Sequence, residues 1–240
     1  MNNNEIMLLA LSKLYEKLKT GEILGDRTEQ QVVEIINFNT SLDPAQPVIN
    51  LRNVRKTPIK YAKKEIEWYD SCDLSVDNIS KHASMWKEVA SKSGTVNSNY
   101  GWCIYSDENQ NQYHHALEEL KSNKNSRRSV MIYNRPSMQI EWNKDGMNDF
   151  ICTFSTQHFV RNNKLEYIVY MRSNDAIFGF FNDFYWHCEV YKRMFNDLKQ
   201  TYSNLEYGNI HWNSGSFHLY ERHFDILKKL FEDQSEKIKL

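Results

Sequence analysis

Two runs rich in β-branched and aromatic residues, 151–160 and 165–172, flank the dipeptide Asn162-Asn163. Asparagine tolerates the left-handed backbone that a tight hairpin turn needs. This pairing predicts two antiparallel strands, and a chain holding a long hairpin must cover at least one of its faces with other elements. Residues 128–134 predict a further strand, residues 31–38 (QVVEIINF) another, and residues 208–220 a strand with loop. Helical spacing predicts the covering layer. Met7, Leu11, Leu14 and Leu18 share one face before Gly21, and helices follow near 58–70, 78–92, 111–121 and 183–200. Ile79, Ala83, Trp86 and Ala90 line the second of these; Phe184, Cys188, Tyr191, Phe195 and Leu198 line the last. Phe224, Leu227 and Leu230 mark a final helix, and Pro44 and Pro47 mark a loop. The elements mix without regular βαβ alternation, so the expected class is α+β in a single domain over residues 1–240.

Composition narrows the function. A net charge of −1 argues against a general nucleic-acid or membrane-surface binder, so phosphate contacts must come from local arginines. Residues 1–9 lack a basic leader, and no stretch approaches the ~20 apolar residues of a membrane span. The expectation is therefore no secretory signal and no membrane partner. Cys72, Cys103, Cys152 and Cys188 are scattered with no CxxC pair, which fits free thiols in a reducing cytoplasm. Low Gly and Pro with many Asn, Lys and Ile suit an AT-rich genome. Glycine-rich phosphate loops are absent, and His114-His115 with Cys103 match no zinc spacing, so no metal is expected.

Three groups of residues invite chemistry, each beside a plainer reading. Cys152 opens a predicted strand, and Arg172 lies roughly opposite across the hairpin. A guanidinium stabilises the nucleophilic thiolate, yet most buried free cysteines are inert core. Arg127-Arg128 at the start of a strand, and Arg27 in the turn Asp26-Arg27-Thr28, suit phosphate recognition or a solvated surface. His218 and Tyr220 share a strand face and suit a sugar hydroxyl or a satisfied core position.

Five ordered blocks carry a resemblance that covers residues 20–225. They are Glu65-Ile66-Glu67-Trp68-Tyr69; Asn97-Ser98-Asn99-Tyr100-Gly101-Trp102; Asn125-Ser126-Arg127-Arg128; Cys152-Thr153 to Gln157 with Met171-Arg172-Ser173-Asn174-Asp175 and Gly179; and Ser216-x-His218-x-Tyr220-x-x-His223. Together they resemble the thymidylate synthase superfamily, most closely its phage deoxycytidylate hydroxymethylases. The resemblance implies that Cys152 attacks pyrimidine C6, and that Arg27, Arg172 and Ser173 hold the 5′-phosphate. Arg127 and Arg128 would reach the phosphate site of the partner in a homodimer. His218 and Tyr220 would bind the deoxyribose 3′-hydroxyl. Glu65 would organise water and proton transfers, and Tyr100 would assist proton removal at C5. Trp86, Asp175 and Gly179 would lie at the folate, 5,10-methylenetetrahydrofolate. Three departures stand out: Ile151-Cys152-Thr153 in place of Pro-Cys-His, Ser216 in place of an aspartate, and Glu236-Lys237-Ile238-Lys239-Leu240 in place of an apolar tail.

The base follows from hydrogen-bond polarity. Family members that act on uracil read it with an asparagine, whereas cytosine presents the inverted pattern and suits a carboxyl group. Counting without gaps from Cys152 puts Asp183 at this position; a slip by one residue would put Asn182 there and restore uracil. The expected reaction is therefore hydroxymethylation of dCMP. Thymidylate synthesis from dUMP, hydroxymethylation of CMP and a catalytically silent nucleotide-binding protein are the alternatives. Excluding water is what protects the intermediate, and the altered C-terminal run together with the resemblance favours water rather than hydride in the final step.

Overall fold

A computed structural model describes residues 1–27 and 29–232. The C-terminal run 236–240 lies outside them. The first helix, α1 (Asn3–Thr20), opens with Asn2 and Glu5 in a reciprocal capping box and closes on Gly21 at φ 75°. Two-residue β1 (Leu24–Gly25) leads into the long strand β2 (Gln31–Leu42), and β3 (Asn50–Leu51) pairs with β4 (Arg55–Lys56). Then come α2 (Ile59–Asp70), α3 (Met85–Val89), α4 (Tyr100–Tyr105), α5 (Gln112–Ser122), β5 (Val130–Ile132) and α6 (Met138–Glu141). The chain continues through β6 (Thr153–Arg161), β7 (Lys164–Asp175), α7 (Phe178–Lys199), β8 (Glu206–Tyr220) and α8 (Phe224–Phe231).

Six strands form one mixed sheet in the order β1-β2-β8-β7-β6-β5. All pairs are antiparallel except β7 with β8, where α7 is the crossover. This is the expected α+β architecture. Helix α7 lies on the inner face of the sheet, where Phe180 meets Trp212 and Phe217 edge-on at 5.0 and 5.9 Å. Helices α1 and α8 pack together through stacked Tyr15 and Phe231.

The Asn162-Asn163 turn forms as expected, with both residues at positive φ (50° and 60°). It pairs Arg161 with Lys164, but a bulge at Phe154 moves the register so that Thr153 faces Met171. Neighbouring strands bend at the same level. Buried positions run 165, 167, 169, 171 and then 174 along β7, and 210, 212, 214 and then 217 along β8. Gly215 lies at this bend; a Cβ there would sit 2.8 Å from the Arg172 carbonyl oxygen. The combined effect sets the Arg172 amide on the Cys152 carbonyl at 2.8 Å.

Three expectations need correction. The helix expected over 78–92 is a 3₁₀ turn at Ile79–Lys81 followed by the five-residue α3, although Ile79 and Trp86 are both buried. The last long helix begins at Phe178 rather than 183, because the Asp175 carboxylate accepts from the Ile177 and Phe178 amides and caps it. Residues 206–220 form one continuous strand. No helix among the described residues is long and apolar enough to cross a membrane.

Candidate active site

Cys152 precedes β6 at the bend in the sheet, and Arg172 is its nearest cation. The guanidinium Nη2 lies 3.5 Å from Sγ and also donates to the Phe150 carbonyl at 2.7 Å; Nε donates to the Ile151 carbonyl at 3.0 Å. The group further rests over the Phe150 ring. The arginine is thus fixed by the segment that carries the thiol. Its charge favours the thiolate, as expected from the sequence, but burial is the larger effect and pushes the Cys152 thiol up to about 11. The fields of Asp183 and Asp149 act in the same direction as burial, and Arg27 opposes them.

Two carboxyl groups face this thiol region. Glu65 on α2 is buried and accepts from the Tyr61 hydroxyl at 2.7 Å, and Tyr61 in turn accepts from the Trp86 indole at 2.9 Å. Burial raises the Glu65 carboxyl to about 7. Asp183, in the second turn of α7, accepts from the Asn174 side-chain amide at 2.8 Å. Burial, then the field of Glu65, holds its carboxyl well above the usual range. Its field is felt by Cys152, Tyr61, Tyr69 and Tyr100, so it lies near all four. Tyr100 opens α4 and stacks on Tyr69 at 5.3 Å. Gly179 brings the α7 backbone close to Asn174, Asp175 and Asp183. Neighbouring Asn182 turns a buried side-chain oxygen that has no hydrogen-bond partner among the described residues.

His218 and Tyr220 project from β8 with their rings edge-on at 4.9 Å. Ser173 pairs with Ser216, and Asp175 with His218, across the parallel β7-β8 ladder. Arg27 is exposed. Arg127 and Arg128 are also exposed and are not brought to Cys152 within one chain: the Arg127 carbonyl accepts from Gln157, five residues along β6, and Arg128 pairs with Glu119 at 3.0 Å.

Several residues of this region carried no role in the sequence reading. Tyr61 stands one helical turn before Glu65, a spacing that could have flagged it. Asp149 accepts from the Asn97 and Ser98 amides at 2.7 and 2.8 Å and from the Ser98 hydroxyl at 2.6 Å, tying the segment before Cys152 to the one before Tyr100. Asn174 and Glu34 complete the set, and neither has a local sequence signal.

A half-buried thiol, a guanidinium held against it, and two raised carboxyl groups gather near the bend of one mixed sheet. The sequence pattern of the family described as thymidylate synthase matches residues 11–240. The chain belongs to the thymidylate synthase family. Among its relatives, the deoxycytidylate 5-hydroxymethyltransferase of Enterobacteria phage T4 is 43% identical over 213 residues, spanning 88% of this chain and 84% of the relative. The phage T6 enzyme of the same name is 42% identical over the same length. Thymidylate synthase 1 of Bacillus subtilis (strain 168) is 27% identical over 220 residues, covering 85% of this chain and 72% of the relative. As a member of the thymidylate synthase family, the protein is a folate-dependent one-carbon transferase that acts on a pyrimidine nucleotide.

Proposed function

We propose that the protein is a deoxycytidylate 5-hydroxymethyltransferase, converting dCMP, 5,10-methylenetetrahydrofolate and water to 5-hydroxymethyl-dCMP and tetrahydrofolate. The observation that carries this reading is Asp183, an acid rather than an amide, near enough for its field to reach Cys152. Its carboxyl is biased toward the protonated form by burial. A neutral carboxyl donates through its O–H and accepts through its carbonyl, the polarity that cytosine N3 and N4 require. The similarity to the phage enzymes supports the same choice.

In this reading Cys152 adds to C6 of the base, and its proton leaves as the thiolate forms. The cost set by the raised thiol is offset by Arg172 at 3.5 Å. Arg172, Ser173 and Arg27 hold the 5′-phosphate, with Arg127 and Arg128 contributed by the other copy of a homodimer. The sheet's outer face supports that assembly: Ile132, Phe154 and Tyr170, on three adjacent strands, are 56%, 43% and 38% exposed. Tyr100 assists removal of the C5 proton. Glu65, poised near neutral pH by burial, moves a proton and orients water. The folate supplies the one-carbon unit when bound. The donor set suits it: Trp86 offers an apolar wall whose indole N–H is already engaged by Tyr61, and Asp175 and Gly179 stand beside each other near Asp183. The whole chain acts as one domain, in the cytoplasm of an infected bacterium.

Incubation with dCMP, dUMP and 5,10-methylenetetrahydrofolate, with products identified by mass, tests the reading. A hydroxymethyl product from dCMP is expected. The unpartnered oxygen of Asn182 favours a second reading, in which this amide reads uracil. Turnover of dUMP alone would establish it, and a methyl product would reassign the final step to hydride.

A further inference from the structure

The strand that carries His218 and Tyr220 has a serine at position 216, where the motif they belong to has an aspartate. A carboxylate is nonetheless present, and it comes from another strand. Glu34 on β2 pairs directly with His218 on β8, which makes Ser216 its diagonal neighbour on the same face. The Ser216 hydroxyl donates to Glu34 Oε1 at 2.5 Å, and the same oxygen lies 3.1 Å from His218 Nδ1.

Hydrogen counting fixes the polarity of this chain. A carboxylate accepts and does not donate, and a serine hydroxyl has one proton. With that proton on Glu34, Ser216 Oγ can only accept from the imidazole, so Nδ1 carries the ring hydrogen. His218 is buried, which favours the neutral ring. In a neutral imidazole with Nδ1–H, Nε2 is a bare acceptor.

We infer that Glu34 is a positioning residue which, through Ser216, locks His218 in the Nδ1–H tautomer, so that Nε2 selects a ligand hydroxyl able to donate a hydrogen bond. The ligand identified here, the 3′-hydroxyl of a deoxyribonucleotide, rests on the substrate proposed above; the tautomer does not. A 3′-hydroxyl both donates and accepts, whereas a 3′-fluoro group cannot donate. Without Glu34 the serine proton is released, can turn to Nδ1, and leaves Nε2 protonated and unable to accept.

Long-range proton–nitrogen NMR on the full-length protein labelled with ¹⁵N-histidine, with His218 assigned by its loss in His218→Gln, reads the tautomer without nucleotide or folate. The wild type is expected to show a pyrrole-like Nδ1 and a pyridine-like Nε2. Glu34→Ala should mix or reverse this pattern, and Glu34→Gln, whose amide oxygen still accepts from Ser216, should restore it. Calorimetric binding of dCMP against 3′-fluoro-2′,3′-dideoxycytidine 5′-monophosphate then reads the consequence. The wild type should prefer dCMP by about five- to tenfold, the scale of one net hydrogen bond. Glu34→Ala should lose most of that preference, and Glu34→Gln should keep it. A pyridine-like Nδ1 in the wild type overturns the proposal whether or not the alanine variant folds, as does unchanged discrimination in a folded Glu34→Ala. A correct tautomer in a protein that does not turn over dCMP would count against the substrate alone.

Discussion

Replacing Asp183 with asparagine tests base reading at a single atom, because the two side chains have nearly the same shape. In the wild type, Asn174 holds one carboxyl oxygen at 2.8 Å and burial favours the protonated acid. Cytosine then meets one donor and one acceptor. Uracil meets the reverse, leaving two buried polar groups unpaired at about 1–3 kcal/mol each, or roughly 30- to 10⁴-fold in kcat/KM. An amide has no such commitment. A half-turn about its last bond exchanges donor and acceptor, so the substituted side chain can meet either base. The opposing term is the contact with Asn174, about 1 kcal/mol or roughly fivefold, which is kept in one orientation and lost in the other. Asp183→Asn is therefore expected to gain activity on dUMP and to bring the two substrates within about tenfold of each other. Steady-state kcat/KM for dCMP and dUMP, measured side by side, gives the answer. Folding is checked independently. The folded carboxyl is raised, so its unfavourable contribution is absent below the unfolded pKa and grows as pH rises above it. The variant should thus melt no lower than the wild type at mildly alkaline pH. Retention of the full dCMP preference would refute the assignment of Asp183 to the base. A collapsed preference in Asn182→Ala, with Asp183 intact, would move base reading to Asn182.

Further predictions concern other parts of the cavity. With Cys152 pushed up to about 11, its alkylation by iodoacetamide in the absence of nucleotide should rise about tenfold per pH unit from neutral pH upward. Arg172→Met should move that curve to still higher pH; a plateau below about pH 8 would show the thiol is activated in the free protein. Glu65 binds its proton more tightly folded than unfolded, with an ordinary value of 4.5 and a folded value of about 7. Its contribution is full below the lower value and is lost as pH rises through the upper one, so Glu65→Gln should remove up to about 3 kcal/mol of pH-dependent stability, seen in denaturation midpoints across that window. It should also remove the limb near neutral pH from the kcat/KM profile. At Gly101, a Cβ would stand 1.8 Å from the Tyr69 carbonyl oxygen, so Gly101→Ala should separate α4 from α2 and sharply lower the melting temperature. At Gly179 the nearest contacts are 3.5 Å, so Gly179→Ala should match or exceed the wild type in stability by up to about 1 kcal/mol while raising KM for the folate.

What could be read from the sequence followed the range over which each interaction acts. The hairpin was visible because its turn chemistry is local: two asparagines, both at positive φ. The Cys152–Arg172 pairing was only approximately visible. A two-residue turn that pairs Arg161 with Lys164 would by itself set Cys152 opposite Ser173, and the bulge at Phe154 supplies the one-residue shift. Nothing at Phe154 announces it, since no glycine or proline stands there. The helix expected over 78–92 failed because its apolar spacing reflects burial alone; Ile79 and Trp86 reach the core from a 3₁₀ turn and a separate short helix. Polar pairs were harder still. Tyr61 and Glu65 are four residues apart, but Glu34 and Ser216 are 182 apart and meet only through the β2-β8 register.

The choice between Asn182 and Asp183 shows how these scales combine. Neighbouring positions on a helix point about 100° apart. Once α7 extends back to Phe178, both residues lie within it and cannot occupy the same direction. Sequence counting supplied the candidates without the start of the helix, which depends on Asp175 capping the Ile177 and Phe178 amides. The carboxylate that starts α7 thereby sets its phase. Asn174, the residue before that cap, then reaches forward to hold Asp183, whose field reaches Cys152.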